Sequence, residues 1–140
     1  MLRLPEILDK ILESLIWQGV STFRAGGAIG FDTVAALTVL EKKTVHPEIT
    51  LELELPCKDQ TIKWSAWEAR KYAELLRAAD ETQYISKEYS RECMLVRDRA
   101  MADASSACIA YCNKNSGGTA YTVNYALKKG IPVTNLANAF

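Results

Sequence analysis

The sequence predicts an α/β protein with a mainly parallel sheet. Segments with helical periodicity alternate with short apolar segments along the whole chain, which is typical of parallel strands joined by right-handed helical crossovers. The hydrophobic fraction of 49% and the charged fraction of 24% are those of an ordinary globular protein. The length of 140 residues, without an internal repeat, a low-complexity stretch or a linker, fits one domain over residues 1–140.

The first half of the chain predicts two helices, two strands and a glycine-rich turn. Leucine and isoleucine recur at i, i+3 and i+4 spacing in the first helix, which has Pro5 in its first turn and Gly19 at its C-terminal cap. A strict alternation of leucine with glutamate marks the second strand, which Pro56 ends. In chain order, the predicted elements are a helix at about 5–18, a strand at 20–24, the turn at 25–32, a helix at 33–43 and a strand at 49–55.

The second half predicts three helices and three strands. Ser65 and Glu68 have the spacing of a capping box ahead of the third helix. Gly130 suits the C-terminal cap of the last helix. In chain order, the predicted elements are a helix from the Ser65 cap to about 79, a strand at 82–85, a helix at 93–104, a buried strand at 107–111, a helix at 119–129 and a strand at 131–136.

Charge and hydropathy exclude several classes of function. Lys+Arg 17 equals Asp+Glu 17, and the resulting net charge of zero disfavours bulk attraction to nucleic acid or to anionic lipid. No apolar run approaches about 18 residues, so no membrane span is predicted. The first residues lack the pattern of a secretory leader, so we expect none, and we expect the cysteines to be reduced thiols and the location to be cytoplasmic.

Residues for metal or nucleophilic chemistry are scarce. The single histidine, His46, and the four cysteines match no common zinc-site spacing, so no metal ligands are predicted. One histidine far in sequence from the glycine-rich turns argues against a Ser-His-Asp or Cys-His device. The Walker phosphate-binding pattern is absent as well. We therefore predict no catalytic residues and no cofactor. The cysteines are Cys57, Cys93, Cys108 and Cys112.

Two glycine-rich turns follow predicted strands, at the edge where open parallel sheets bind ligands. Glycine lets the backbone approach a ligand closely, and the helix that follows each turn offers N–H groups to an anion. The alternative is that such turns only pack a helix close to a strand. Two of them in one small chain predict a joint cradle for a phosphate or a nucleotide. The candidate ligand-binding residues in and near the turns are Gly26, Gly27, Gly30, Asp32, Arg97, Arg99, Gly117, Gly118, Thr119 and Thr122.

Each candidate side chain has a purely structural alternative. An arginine at 97 or 99 can bind a phosphate bidentately, but Arg99 can also form a surface pair with Asp103 one helical turn away. Asp32 can bind a ribose hydroxyl, or it can be the N-cap of the second helix. Trp64 can stack on a base, or it can belong to the core.

Four segments closely resemble the YpsA-like family, a bacterial family of the SLOG superfamily that also includes the DNA-processing protein DprA and the LOG phosphoribohydrolases. The resemblance extends over about residues 4–136. It implies a Rossmann-like, three-layer α/β/α fold with about five strands and a nucleotide-derived ligand. The four segments are residues 23–33 (FRAGGAIGFDT), 55–60 (LPCKDQ), 93–101 (CMLVRDRAM) and 117–122 (GGTAYT).

The chain departs from the family at its beginning. YpsA-like proteins start with a strand that carries a Thr-Gly-His-Arg-Pro type motif, whereas this chain opens at the helix that follows. Loss of that strand would expose strand edges, which folded proteins cover or pair. We therefore expect an N-terminally shortened domain, a closing up of the remaining strands, or a homo-oligomer in which a second subunit compensates.

The second departure concerns catalysis. LOG hydrolases use an arginine on the helix before the buried strand, which Arg97 matches, and a glutamate after their glycine turn, where this chain has Asn124. An amide cannot act as a general base or stabilise a cationic transition state as a carboxylate does. Tyr121 also stands where the threonine of that turn is expected. The hydrolase activity is therefore not carried over to this chain.

Three functions remain open at this point. The first, which we favour, is a sensor or regulatory domain that binds a nucleotide-derived or phosphorylated small molecule. The second is a LOG-like nucleoside-monophosphate phosphoribohydrolase, against which Asn124 argues. The third is a DprA-like module that binds single-stranded DNA or a protein partner, and the balanced charge disfavours the DNA.

Overall fold

A computed structural model describes residues 3–27, 30–57, 64–85, 90–115 and 118–139. Helices and strands alternate from the first element to the last, as the periodicity predicts. In chain order the elements are α1 (Leu4–Trp17), β1 (Thr22–Ala25), α2 (Phe31–Val45), β2 (Thr50–Leu55), α3 (Ala66–Ala78), β3 (Glu81–Tyr84), α4 (Arg91–Asp103), β4 (Cys108–Ala110), α5 (Gly118–Lys128), β5 (Val133–Asn135) and a 3₁₀ turn (Leu136–Ala139).

The strand pairing confirms the α/β class and corrects the sheet. β1 pairs with β2 in parallel, and β4 pairs with β5 in parallel. Within the described residues the strands are divided between a sheet of order β1-β2-β3 and a sheet of order β4-β5, so the prediction of one sheet with about five strands is wrong there. Periodicity reveals that a segment is a strand, but the choice of neighbour depends on contacts distant in sequence, which no local pattern encodes.

The chain forms two compact units, which are described separately. Unit 1 comprises residues 1–55 and 61–83, and unit 2 comprises residues 56–60 and 84–140. Unit 1 therefore holds α1, α2, α3, β1 and β2, and unit 2 holds α4, α5, β4 and β5.

The core of unit 1 is formed by the apolar face of β2. Leu51, Leu53 and Leu55 are completely buried, because side chains at every second position of a strand point to the same face. Helix α2 packs on β1 and β2, and both α1 and α3 pack on α2. Leu8 and Leu12 are the buried residues of the amphipathic α1. The predicted apolar positions of this helix thus reach the core.

Charged side chains fasten α1 to α2 in unit 1. The Lys42 Nζ lies 2.7 Å from a Glu13 carboxylate oxygen and 3.0 Å from an Asp9 oxygen. The His46 Nε2 lies 3.0 Å from a Glu13 oxygen, and its Nδ1 lies 3.5 Å from Glu48. The hydrogen bond from Lys42, aided by His46, lowers the pKa of Glu13 to about 2. Asp9 and Glu13, which lie beside the apolar face of α1, thus have a structural role at the contact between the helices.

Unit 2 packs two helices and a short sheet through small side chains. Helix α5 contacts α4, β4 and β5. Ala102 of α4 and Ala120 and Ala126 of α5 are buried, as is Ala110 of β4. Alanine adds little bulk, so the backbones of neighbouring elements can approach closely. In chain order, α5 begins after the segment that follows β4.

The helix starts show which local signals were sufficient. The Ser65 hydroxyl accepts a hydrogen bond from the Glu68 amide, and the Glu68 carboxylate accepts one from the Ser65 amide, which confirms the predicted capping box of α3. Helix α2 begins at Phe31, two residues before the predicted start, because Gly30 is its N-cap.

Among the helices of the described residues, none is long and apolar enough to cross a membrane.

Candidate functional site

The first glycine-rich turn connects β1 to α2 in unit 1. Gly26 and Gly27 are buried, and Gly27 has a φ of 71°, a left-handed conformation that favours glycine. Gly30 has a φ of 89° and is the N-cap of α2. The rest of the turn, residues 28 and 29, lies outside the described residues. The strand therefore ends in backbone that requires glycine at two positions, as expected for a turn of this type.

The start of α2 is unlike those of α3 and α4. Ser65 and Ser90 cap α3 and α4 with their hydroxyls, whereas Gly30 has no side chain with which to cap α2. Asp32 lies in the first turn of α2 and is half-buried. The alternative that Asp32 is the N-cap is therefore wrong, because the helix starts earlier than its apolar spacing indicates. Its carboxylate lies where the helix dipole stabilises negative charge.

The second glycine-rich turn precedes α5 in unit 2. Gly118 is the first residue of α5, and both Gly118 and Thr119 are exposed. Apart from its chain neighbours and the backbone of α5, no described residue has an atom within 4 Å of a Cβ built on Gly118, so the space beside this backbone is open. The first turn of α5 contains no acidic residue. Gly117 of the predicted site lies outside the described residues.

The hydroxyl of Thr122 is used inside the helix. Its Oγ1 donates a hydrogen bond to the Gly118 carbonyl oxygen over 3.0 Å. The hydroxyl that we expected to donate a hydrogen bond to a phosphate oxygen therefore donates it to the helix backbone in this structure. Thr119, one turn earlier and exposed, remains the better placed hydroxyl of the two.

The two candidate arginines of α4 have different surroundings. Arg97 is buried, and its Nε lies 2.6 Å from the Asp98 carboxylate. Arg99 is exposed, and its Nη1 donates to the Tyr121 hydroxyl over 3.2 Å. Because Tyr121 is the fourth residue of α5, this contact holds the Arg99 guanidinium beside the first turn of that helix.

The predicted alternative of an Arg99–Asp103 pair is wrong. Asp103 instead accepts a hydrogen bond of 2.8 Å from the Tyr125 hydroxyl, and Lys129 Nζ lies 3.7 Å away. The hydrogen bond to the Asp103 carboxylate raises the pKa of Tyr125. Both side chains of α4 thus bind residues of α5, because the two helices pack against each other and offer nearer partners than the same helix does.

Trp64 has the surroundings of a core residue. It is half-buried, and its ring meets that of the buried Tyr72 edge to face, with 5.3 Å between the ring centroids. Such a pair is favourable for aromatic rings within a core. This contact favours the core interpretation of Trp64 over a role in base stacking.

Two groups of polar residues were missed by the sequence reasoning. In unit 1, Arg24 Nε lies 3.1 Å from Glu52 and 3.7 Å from the buried Glu54, as an ion pair on the face of the sheet opposite the leucines. The glutamates of the alternating strand were a signal for it. In unit 2, the Asn135 side chain binds the backbone of Cys112. No pattern in the sequence indicated that the asparagine at the end of this strand would bind the backbone of Cys112.

The site residues belong to both units. Gly26, Gly27, Gly30 and Asp32 are in unit 1, and Arg97, Arg99, Gly118 and Thr119 are in unit 2. The joint cradle of both turns stays a prediction. Within unit 2, the described residues combine a helix N-terminus, an exposed hydroxyl and a guanidinium. Among the described residues of the whole chain, no group of three or more His, Cys, Asp or Glu side chains is arranged to hold a metal ion.

Comparisons with known proteins cover nearly the whole chain. The model of the YspA SLOG family matches residues 3–133. The chain is 32% identical to the uncharacterized SPbeta prophage-derived protein YoqJ of Bacillus subtilis over 141 residues, which cover 91% of this chain and 82% of that protein. It is 28% identical to a UPF0398 protein of Halalkalibacterium halodurans over 129 residues, which cover 90% of this chain and 68% of that protein.

Proposed function

Because the chain belongs to the YspA SLOG family, we propose that it binds a nucleotide-derived or phosphorylated small molecule and acts as a cytoplasmic sensor or regulatory domain. The resemblance to SLOG proteins supplies the ligand class. The chemistry of the α5 N-terminus supports the phosphoryl part of that ligand.

The observation that carries the proposal is the guanidinium of Arg99 beside the first turn of α5. The N-terminus of a helix has a partial positive charge and N–H groups that point outward. Arg99 adds a full positive charge to this end, and no acidic residue of the first turn offsets it. An anion with several oxygens is the ligand that this end of α5, together with Arg99, stabilises.

The first turn of α5 is accessible to a ligand at Gly118. Gly118 has no side chain, and the space in which its Cβ would lie is open among the described residues, so a phosphoryl oxygen can reach the backbone of the first turn. Thr119 is exposed in the same turn, and its hydroxyl is the donor that we assign to a second oxygen.

The test compares two aspartate substitutions on the same helix. In Thr119→Asp, a carboxylate enters the first turn, where it stabilises the helix but repels a phosphoryl group. Leu127→Asp adds the same charge at an exposed position near the other end of α5. Titration calorimetry with AMP, ADP-ribose and inorganic phosphate, and with unphosphorylated adenosine as a control, measures the affinity of the wild type and of both variants.

We expect the wild type and Leu127→Asp to bind a phosphorylated compound and Thr119→Asp to lose the binding without a loss of thermal stability. A ligand at 100 times its Kd stabilises the folded protein by about 2.7 kcal/mol, so the same pattern is expected in thermal unfolding. Equal affinity of the two variants would contradict the placement of the phosphoryl group at α5. The lack of binding of every compound by the wild type at millimolar concentration would contradict the proposed function itself.

A further inference from the structure

Asn135, the last residue of β5, makes three hydrogen bonds with backbone groups of unit 2. Its Nδ2 donates to the Cys112 carbonyl oxygen over 2.8 Å. Its Oδ1 accepts from the Cys112 amide over 3.0 Å and from the Ala137 amide over 3.1 Å. Each polar atom of the side-chain amide thus faces a group of the opposite type.

These bonds extend the sheet beyond its last backbone pair. The parallel ladder of β4 and β5 ends where Ala110 lies opposite Asn135. Cys112 follows two residues later, and its N–H and C=O both bind the Asn135 amide as they would bind the backbone of another strand residue. A side-chain amide has the same donor and acceptor as a peptide group, so it can occupy this place.

Cys112 stands at the point where the chain leaves the sheet for the second glycine-rich turn. The segment after it leads to Gly118 and Thr119 at the start of α5. The bonds from Asn135 therefore fix the start of that segment at Cys112. The Asn135 side chain is half-buried, so competition from water for the same groups is reduced.

We propose that Asn135 is a positioning residue for the phosphoryl site, because it holds the backbone of Cys112, from which the chain continues to the first turn of α5. This inference rests on the proposed function. A backbone that is already held at Cys112 in the free protein loses less conformational entropy when the ligand binds, which raises the affinity. The residue acts through the backbone of Cys112.

The variant Asn135→Ala removes all three bonds, and Asn113→Ala is the matched control, since Asn113 is exposed in the same connection. Hydrogen exchange of the Cys112 amide, followed by NMR, reports directly whether Asn135 holds this backbone. Calorimetry with AMP, well below the unfolding temperature, reports the site. We expect faster exchange and an affinity reduced about tenfold in Asn135→Ala. In Asn113→Ala, neither quantity is expected to change.

The variant Asn135→Asp provides a second measurement if Asn135→Ala does not fold. A carboxylate keeps the bonds to the two amides but repels the Cys112 carbonyl, whereas a protonated carboxyl can donate to it. Protonation weakens the bond from the Cys112 amide and relieves the repulsion from the Cys112 carbonyl, so the protection of this amide should change as the pH falls through about 4 in Asn135→Asp, and not in the wild type. A purely steric role for Asn135 predicts no such pH profile.

The outcomes separate this inference from the proposed function. If the wild type binds AMP and Asn135→Ala binds it equally well, the positioning role is overturned while the proposed function stands. If Asn135→Asp shows no pH-dependent protection of the Cys112 amide, the positioning role is overturned as well. If the wild type binds no phosphorylated compound, the proposed function fails, and the positioning role fails with it.

Discussion

At the scale of single residues, the two glycines at the starts of α2 and α5 place different demands on the backbone. Gly30 has a φ of 89°, a conformation that residues with a Cβ rarely adopt. Gly118 is not in that region, and it is already the first residue of a helix. A Cβ would have open space at both positions, so the backbone angle alone decides what a substitution does.

The pair Gly118→Ala and Gly30→Ala should therefore change stability in opposite directions. Alanine at 118 reduces the entropy of the unfolded chain at no cost in strain, so we expect a gain of about 0.4–1 kcal/mol in the free energy of unfolding. Alanine at 30 must adopt a left-handed conformation, so we expect a loss of about 1–2 kcal/mol. Urea unfolding of both variants measures the difference, and a loss at 118 would show that its backbone is strained in a way that φ does not reveal.

Individual site residues were predictable only as far as their chemistry depends on local sequence. The glycines were found because a turn between a strand and a helix requires them. The partner of Arg99 was not found, since Tyr121 is 22 residues away and becomes its neighbour only through the packing of α4 on α5. Asn135 was missed for the same reason, because its role depends on a backbone segment 23 residues away.

At the scale of elements, the contact between α1 and α2 combines apolar packing with a cluster of charges. Glu13 of α1 binds both Lys42 and His46 from the end of α2. The helical periodicity of α1 predicted its apolar face correctly. It gave no indication that an acidic residue next to this face would bind the C-terminal end of the next helix.

This cluster makes the stability of unit 1 depend on pH. The pKa of Glu13 is lowered from 4.5 to about 2, chiefly by the hydrogen bond from Lys42. A carboxyl whose pKa is lower in the folded state stabilises the fold above its unfolded pKa, and this contribution is lost as the pH falls towards the folded value. We therefore expect the unfolding temperature to decrease between about pH 5 and pH 2.

Glu13→Gln is the control for this pH dependence, because it keeps the size of the side chain and removes the titration. Its unfolding temperature should be lower than that of the wild type at pH 7, and the difference should shrink as the pH approaches 2. Thermal unfolding followed by circular dichroism measures both. A constant difference between the two proteins over this range would show that Glu13 does not titrate with a lowered pKa.

At the scale of the whole molecule, the α/β class and the order of elements follow from the sequence, and the sheet pairing does not. Alternating leucines located β2, and the capping pattern of Ser65 located α3. The three-residue strands β4 and β5 are too short for periodicity to reveal which strand each one joins. The division into sheets of three and two strands is a property of tertiary contacts.

The balanced charge of the whole molecule predicts weak interaction with nucleic acid. Seventeen basic and seventeen acidic residues give a net charge of zero, which disfavours long-range attraction to DNA. We expect no retention of single-stranded oligonucleotides in filter binding across about 50–200 mM salt. An affinity that falls steeply with increasing salt would contradict this expectation and would favour a DprA-like role.

The parallel pairing of β1 with β2 also affects how the protein is made. The paired residues Thr22 and Thr50 are 28 positions apart, and a single helix closes the gap between the strands. The loop-closure entropy of this crossover is therefore modest. The ribosome completes β1, α2 and β2 before it synthesises α4 and α5, and units generally fold in the order in which they emerge. Cotranslational assembly of the nascent chain can thus begin with this crossover.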